Sequence, residues 1–112
     1  MLNQTVLVGR ITQDLEIKEL EDGRKGSSMT IAVQRSYKNE DGIYETDFVP
    51  CVLWNAIAEN ASEYCKKGDI VGVKGRLQSD PVENEDGTRS YDLKLIAEKV
   101  TFLSSKKKEE DE

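Results

Sequence analysis

Three rings and a set of cations are spaced for stacking chemistry. In "TDFVPCVLWN", residues 46–55, Val49, Cys51 and Leu53 fall on one side of a period-2 pleat, an ordinary core stripe. Phe48, Pro50, Val52 and Trp54 fall on the other side, and it is apolar too. If the odd residues fill the interior, the even ones point outward, with Phe48 and Trp54 roughly 20 Å apart at about 3.3 Å per residue. Tyr37, Arg35 and Lys38 end the preceding strand and are expected on the same surface. A later strand offers Lys74, Arg76 and Gln78 on its outer parity, opposite the expected core residues Val71, Val73 and Leu77. Rings interleaved with cations suit single-stranded nucleic acid: a base stacks on a ring for about 1–3 kcal/mol, and cations track the phosphates. Two plainer readings stand beside this one. A tryptophan directly ahead of a helix fits a place beneath it, and Phe48 or Val52 fits a subunit contact, because interfaces also enrich aromatics. On residue types alone, binding face and oligomer face balance.

Bond-making chemistry finds little support. The chain has no histidine, so a nucleophile at Cys51 or Cys65 lacks its commonest base. Two cysteines without suitably spaced carboxylates do not close a four-ligand zinc site. "GDIVGVKGR" has the glycines of a phosphate loop without G-x-x-x-x-G-K-[ST], and reads better as a bent strand. The 22 acids form no defensible acid/base pair. No enzyme activity, metal or cofactor is expected, and binding is the better class.

The elements that position these residues are punctuated by "EDG", which occurs at 21–23, 40–42 and 85–87. Asp-Gly is a strong hairpin signal, because glycine accepts φ > 0 and aspartate tolerates it. Runs with strand character flank each copy, giving five strands. Between the third and fourth, "NAIAENASEYCKKG" places Ile57, Ala61 and Tyr64 on one helical stripe. The spacing predicts a helix over Ala56–Lys67, capped by Asn55, with two lysines in its last turn and Gly68 at C′. Five strands with a helix between the third and fourth match the OB-fold, a small Greek-key barrel. Gly9, Gly72 and Gly75 lie inside strands, where bulges, tight bends or close backbone approaches are expected. The domain is expected over 1–103, and the charged segment 104–112, "SSKKKEEDE", as a short disordered tail.

The net charge of −6 argues against a nucleic-acid partner until its distribution is considered. The tail contributes −1 and the three EDG tripeptides hold six acids, leaving 13 basic and 12 acidic residues in the rest of the body. A modestly basic face is therefore compatible with the sequence, as is a mixed solvated surface. At 112 residues, with 37% hydrophobic and 34% charged, the chain suits one soluble domain. No apolar run reaches the roughly 18 residues of a membrane span, and "MLNQTVLVGR" is not a signal peptide. A cytoplasmic location is expected, with both cysteines as buried, reduced thiols.

Four stretches carry a more specific signal: "NQTVLVGRITQDLEI", "TIAVQRSYKN", "TDFVPCVLWNAIAENASEYCKKGDIVGVKGRLQ" and "YDLKLIAEKVTFL". Through them the chain resembles the bacterial and phage single-stranded DNA-binding proteins over residues 1–103. The resemblance implies an OB-fold, a homotetramer with DNA wrapped over its outside, and a role protecting single strands during replication, recombination or repair. It also implies base stacking at Tyr37, Phe48 and Trp54, and phosphate contacts at Arg10, Lys67 and Arg76. The implied setting is a bacterial cytoplasm or nucleoid, or a phage-infected cell. Departures exist. Where the family usually carries a basic-aromatic segment after the fourth strand, this chain has "SDPV", residues 79–82, and Pro50 and Ala56 stand where relatives often have a cation. The long linker and acidic, aromatic-ended tip that recruit repair partners are not seen, so tail-mediated partners are not expected and a short paralogue or mobile-element version is. A primosomal or other OB-fold adaptor working through protein contacts is the main alternative, favoured by the acidic balance and "SDPV". An enzyme subunit whose OB domain binds no nucleic acid is a weaker one.

Overall fold

Alternation in the sequence becomes strands wherever one parity can be buried. The computed structural model describes residues 1–105, and residues 106–112, with most of the expected disordered tail, lie outside them. In chain order the elements are β1 (Thr5–Ile11), β2 (Lys18–Glu19), β3 (Lys25–Lys38), β4 (Tyr44–Trp54), α1 (Asn55–Tyr64), β5 (Ile70–Glu83) and β6 (Arg89–Ser104). The sheet runs β1-β5-β6-β4-β3-β2, and β1 also pairs with β3 through Arg10↔Ala32 and Ile11↔Ile31. That second pairing closes five strands into a barrel, the OB-fold. β2 is only a two-residue rung on β3, so the helix follows the fourth strand in chain order and the third long strand after β1 and β3.

The interior is the odd parity of the strands. Ile11, Met29, Ile31, Cys51, Leu53, Val71, Val73 and Leu95 are fully buried. α1 packs on β3, β4 and β6 and adds Ala58 and Ala61, with Cys65 just beyond it. The helix is shorter than Ala56–Lys67. Asn55 takes φ +53 and its Oδ1 accepts the Lys25 N–H at 3.1 Å, so it ties the helix start to β3 instead of capping it. After Tyr64 the Asp69 carboxylate accepts the Lys66 N–H at 2.8 Å, which draws the chain into a turn and leaves both lysines outside the helix. Tyr64 is exposed, and the buried stripe runs through Ile57, Ala58, Ala61 and Cys65.

All three EDG segments fold alike. In each, the glycine N–H bonds back to the carbonyl three residues before it (Leu20, Asn39, Asn84), and the glycine lies at φ +77 to +88. This is the three-residue hairpin loop, a type I turn followed by a left-handed residue that glycine adopts without strain. The third turn joins β5 and β6 into a long hairpin that runs past the barrel.

Gly75 marks where the barrel ends and that hairpin departs. The β5–β6 register shifts between Lys74 and Gly75, and a Cβ at Gly75 would overlap the Ile96 carbonyl oxygen. Gly9 is likewise tight, its Cβ position 2.7 Å from the Ala32 carbonyl oxygen, whereas one at Gly72 meets only ordinary contacts. The extra residue at the shift, Glu98, lies in β6, so β5 keeps its parity and Leu77 pairs with fully buried Leu95. Standing where the hairpin leaves the barrel, Leu77 is nonetheless 37% exposed and not the core residue its parity predicted. The Asn3 side chain takes over the ladder here. Its Oδ1 accepts the Leu77 N–H at 2.9 Å and its Nδ2 donates to the Leu77 carbonyl at 2.7 Å.

A proline removes one backbone donor from a strand, yet β5 continues through Pro81 to Glu83, paired Pro81↔Tyr91. The reason is parity. Asn84 N–H bonds the Thr88 carbonyl, so by two-residue alternation Val82 and Asp80 turn their N–H groups to β6 and Pro81 turns away. Pro81 therefore costs the hairpin no rung.

Candidate nucleic-acid interface

The outward parity of β3 and β4 pairs small residues with large ones. Trp54 stands opposite Gly26, Val52 opposite Ser28, Pro50 opposite Thr30, and Phe48 opposite Ala32. Paired residues share a face and sit about 4.5–5.5 Å apart, so each large side chain has the neighbouring strand to lie across. Gly26 makes this visible: a Cβ there would stand 2.9 Å from Trp54 Cζ3 and 3.1 Å from Cε3. The indole is half-buried, whereas Phe48 is 65% exposed. Trp54 also walls a cleft of about 630 Å³, together with Val52, Ser28, Lys18 and the carboxylate residues Asp14 and Glu16.

The same surface continues sideways. Val52 pairs with Ile96 on β6, and Ile96 with Arg76 on β5. From Arg76 the outer parity runs along the hairpin through Gln78, Asp80 and Val82. In the other direction Phe48–Ala32–Arg10 form one row across three strands. Arg10 donates to the Gly68 carbonyl at 2.7 Å, and exposed Lys67 adjoins that turn, its N–H on Asp14 Oδ1. Phe48, Trp54, Arg76 and Arg10 are thereby brought onto one connected outer face.

The remaining site candidates lie elsewhere or are already engaged. Arg35 is on the reverse side of the β3–β4 ribbon, where it holds Asp47 at 2.9 Å and also Glu45. Its side-chain hydrogen bond keeps the Asp47 carboxyl below the usual aspartate range and raises the guanidinium in turn. Tyr37 is 66% exposed inside the irregular stretch between Gln34 and Lys38, where alternation stops assigning a face. Lys38 lies over the Tyr44 ring at 5.6 Å. Lys74 shares its row with Val6 of β1 and Lys99 of β6, in the quadrant where Val6 and Val8 are exposed. Along the hairpin, Asp80 is not a bare charge. Lys94 bridges to it at 2.7 Å and Gln78 at 3.1 Å, and these two contacts lower its pKa.

Residue-type reasoning missed Arg24, whose guanidinium carbon lies 5.0 Å from the Trp54 ring centroid. The available signal was Gly26 two residues on, a small residue in line to face a large one. Both cysteines are buried thiols. Burial pushes Cys51 up to about 11, and burial plus the Asp69 carboxylate raises Cys65, so neither is a thiolate near neutrality. Among the described residues no cluster of cysteine and carboxylate groups is arranged for a metal, and no helix is long and apolar enough to cross a membrane.

Residues 2–103 match the profile of the Single-strand binding protein family. The chain is similar to Single-stranded DNA-binding protein B of Bacillus subtilis (strain 168), 43% identical over 109 residues, which covers 97% of this chain and 96% of that protein. Single-stranded DNA-binding protein A of the same strain is 43% identical over 106 residues, 95% of this chain and 62% of that protein. Single-stranded DNA-binding protein 3 of Listeria innocua is 44% identical over 106 residues, 95% of this chain and 66% of that protein. The chain thus spans nearly all of one relative and under two-thirds of the two longer ones.

Proposed function

Since the chain belongs to the single-strand binding protein family, we propose that its outer face binds single-stranded DNA with little regard to sequence. Phe48, Trp54 and Tyr37 stack bases, while Arg10, Lys38, Lys67, Lys74 and Arg76 meet phosphates, and Arg35 joins them only by leaving its carboxylates. The role is coating and protecting single strands in replication, recombination or repair, with no catalytic step, in the bacterial cytoplasm or a phage-infected cell. The observation that carries this reading is the small-opposite-large pairing that lays Trp54 across Gly26 and leaves Phe48 open over Ala32.

Trp54 is the only tryptophan, so oligo-dT should quench the intrinsic tryptophan emission. Trp54→Ala should weaken binding by about 1–3 kcal/mol, with the far-UV spectrum retained. With several cations held by carboxylates, log K against log salt should fall shallowly, at about 0.7 per phosphate engaged. Unchanged emission at saturating oligo-dT would remove Trp54 from the site, and a preference for duplex at low salt would defeat the reading.

The functional unit is taken to be a homotetramer. Leu7 turns into the barrel while Val6 and Val8 are 67% and 54% exposed, leaving β1 an apolar outer side for a second subunit. Val6→Glu with Val8→Glu should lower the sedimentation coefficient to that of a smaller species. A wild-type monomer at micromolar concentration would instead favour the adaptor reading. That second reading draws on the carboxylates holding Arg35 and Lys94, which leave fewer cations open to phosphate.

A further inference from the structure

Trp54 is covered in a way that Phe48 is not. The strand backbone at Gly26 takes one side of the indole, and the Arg24 guanidinium lies over the ring, its carbon 5.0 Å from the centroid. A base stacks only by bringing its atoms to about 3.5–4.0 Å from the ring atoms, so base and guanidinium compete for the same volume. Arg24 is held in place by its own turn. Asp22 accepts the Arg24 N–H at 3.1 Å and its Nε–H at 2.7 Å, and Gly23 between them sits at φ +88. The backbone contact and then the guanidinium lower the Asp22 carboxyl, which keeps the tether charged through the neutral range. The pair is more than half exposed, so releasing it costs little. A freed guanidinium presents five donors in the fork that fits phosphate oxygens.

We propose that Arg24 belongs to the single-stranded DNA site: it covers Trp54 in the free protein and trades the indole for a phosphate when a base stacks. This deepens the binding function proposed above and rests on it. The exchange makes Trp54 the conditional member of the stacking track and Phe48 the open one. The first contact of an arriving strand then falls on Phe48, and Trp54 engages only as Arg24 swings out.

Two measurements test this, one of them without DNA. In the free protein, Arg24→Ala should remove protection of Trp54 from acrylamide quenching, and Asp22→Asn should remove part of it. In anisotropy titrations with labelled oligo-dT, Arg24→Ala loses both a competitor and a cation. Its log K against log salt line should be shallower by about 0.7 and cross that of the wild type, weaker at low salt and tighter at high salt. Asp22→Asn should bind tighter throughout, because only the tether is lost. Unchanged acrylamide quenching in Arg24→Ala, or a line parallel to the wild type, overturns the proposal. Trp54→Ala run alongside separates the two levels. If that variant binds like the wild type, stacking at Trp54 itself fails, whereas a weakened Trp54→Ala beside an unaltered Arg24→Ala fails the exchange alone.

Discussion

Gly75→Ala should destabilise this protein by about 3 kcal/mol, at the top of the range for added methylenes, although it adds a single methyl group. The new Cβ would overlap the Ile96 carbonyl oxygen and stand 2.9 Å from its carbon and 3.2 Å from Ala97 Cα, all of them backbone atoms. No rotamer change relieves that overlap, so β5 and β6 must part where their register shifts. Gly72→Ala is the matched control. Its Cβ would meet Leu103 Cδ1 at 3.8 Å and Val8 Cγ2 at 4.0 Å, ordinary contacts that predict a change near zero. Urea denaturation followed by circular dichroism reads both. Equal midpoints for the two variants would mean that the shift tolerates a side chain and that the glycine there is incidental. The consequence reaches the site, because Arg76, the next residue, depends on this shift for its row beside Ile96 and Val52.

The largest change in binding is expected from Asp80→Arg combined with Val82→Trp. Both positions share the outer parity of Arg76 and Gln78, so the hairpin extends the face that carries Trp54. Valine offers no flat surface for a base, and Val82→Trp adds one stacking step, worth about 1–3 kcal/mol. Asp80→Arg does more than reverse a charge. Lys94 now bridges to Asp80 at 2.7 Å, so the substitution adds one cation and releases another. The salt slope should therefore steepen by about 1.4, two phosphates at 0.7 each, instead of the 0.7 expected from one new charge. Fluorescence titration at several salt concentrations measures both effects. If affinity and slope stay at wild-type values, the hairpin lies off the DNA path, and "SDPV" belongs with a protein contact.

Much of the barrel is legible because one rule generates it. Val49, Cys51 and Leu53 alternate with Phe48, Pro50, Val52 and Trp54, and period-2 geometry permits only one of those sets inside. The EDG turns are legible for the same kind of local reason, since glycine at φ > 0 is a requirement of the loop itself. What escaped reading depends on partners that strand and helix periods do not include. Lys66 and Lys67 look like last-turn cations until Asp69 takes the Lys66 N–H and ends the helix before them. Ile57, Ala61 and Tyr64 satisfy a helical period, but only the barrel's position decides that Cys65, not Tyr64, continues the buried stripe.

The candidate site divides in the same way. Exposure of Phe48 follows from parity. The engagement of Arg35 follows from the β3–β4 register, which sets Val33 opposite Asp47 and brings the carboxylates of β4 under the guanidinium. No spacing along one strand reveals that. Arg24 over Trp54 likewise needs the pairing of Gly26 with Trp54 across a separation of 28 positions.

The parity of Pro81 has a further consequence, for how the protein behaves when crowded with its own copies. Past Asn3, the outward edge of β5 carries backbone groups that β1 does not reach, and an unpaired edge is a template on which other chains add strands. The N–H missing at Pro81 is missing from that outward side, so a docking strand finds no donor for one of its rungs. The residue that leaves the hairpin's internal ladder intact thus spoils its edge for growth, a safeguard against fibrillar aggregation at no cost to the fold.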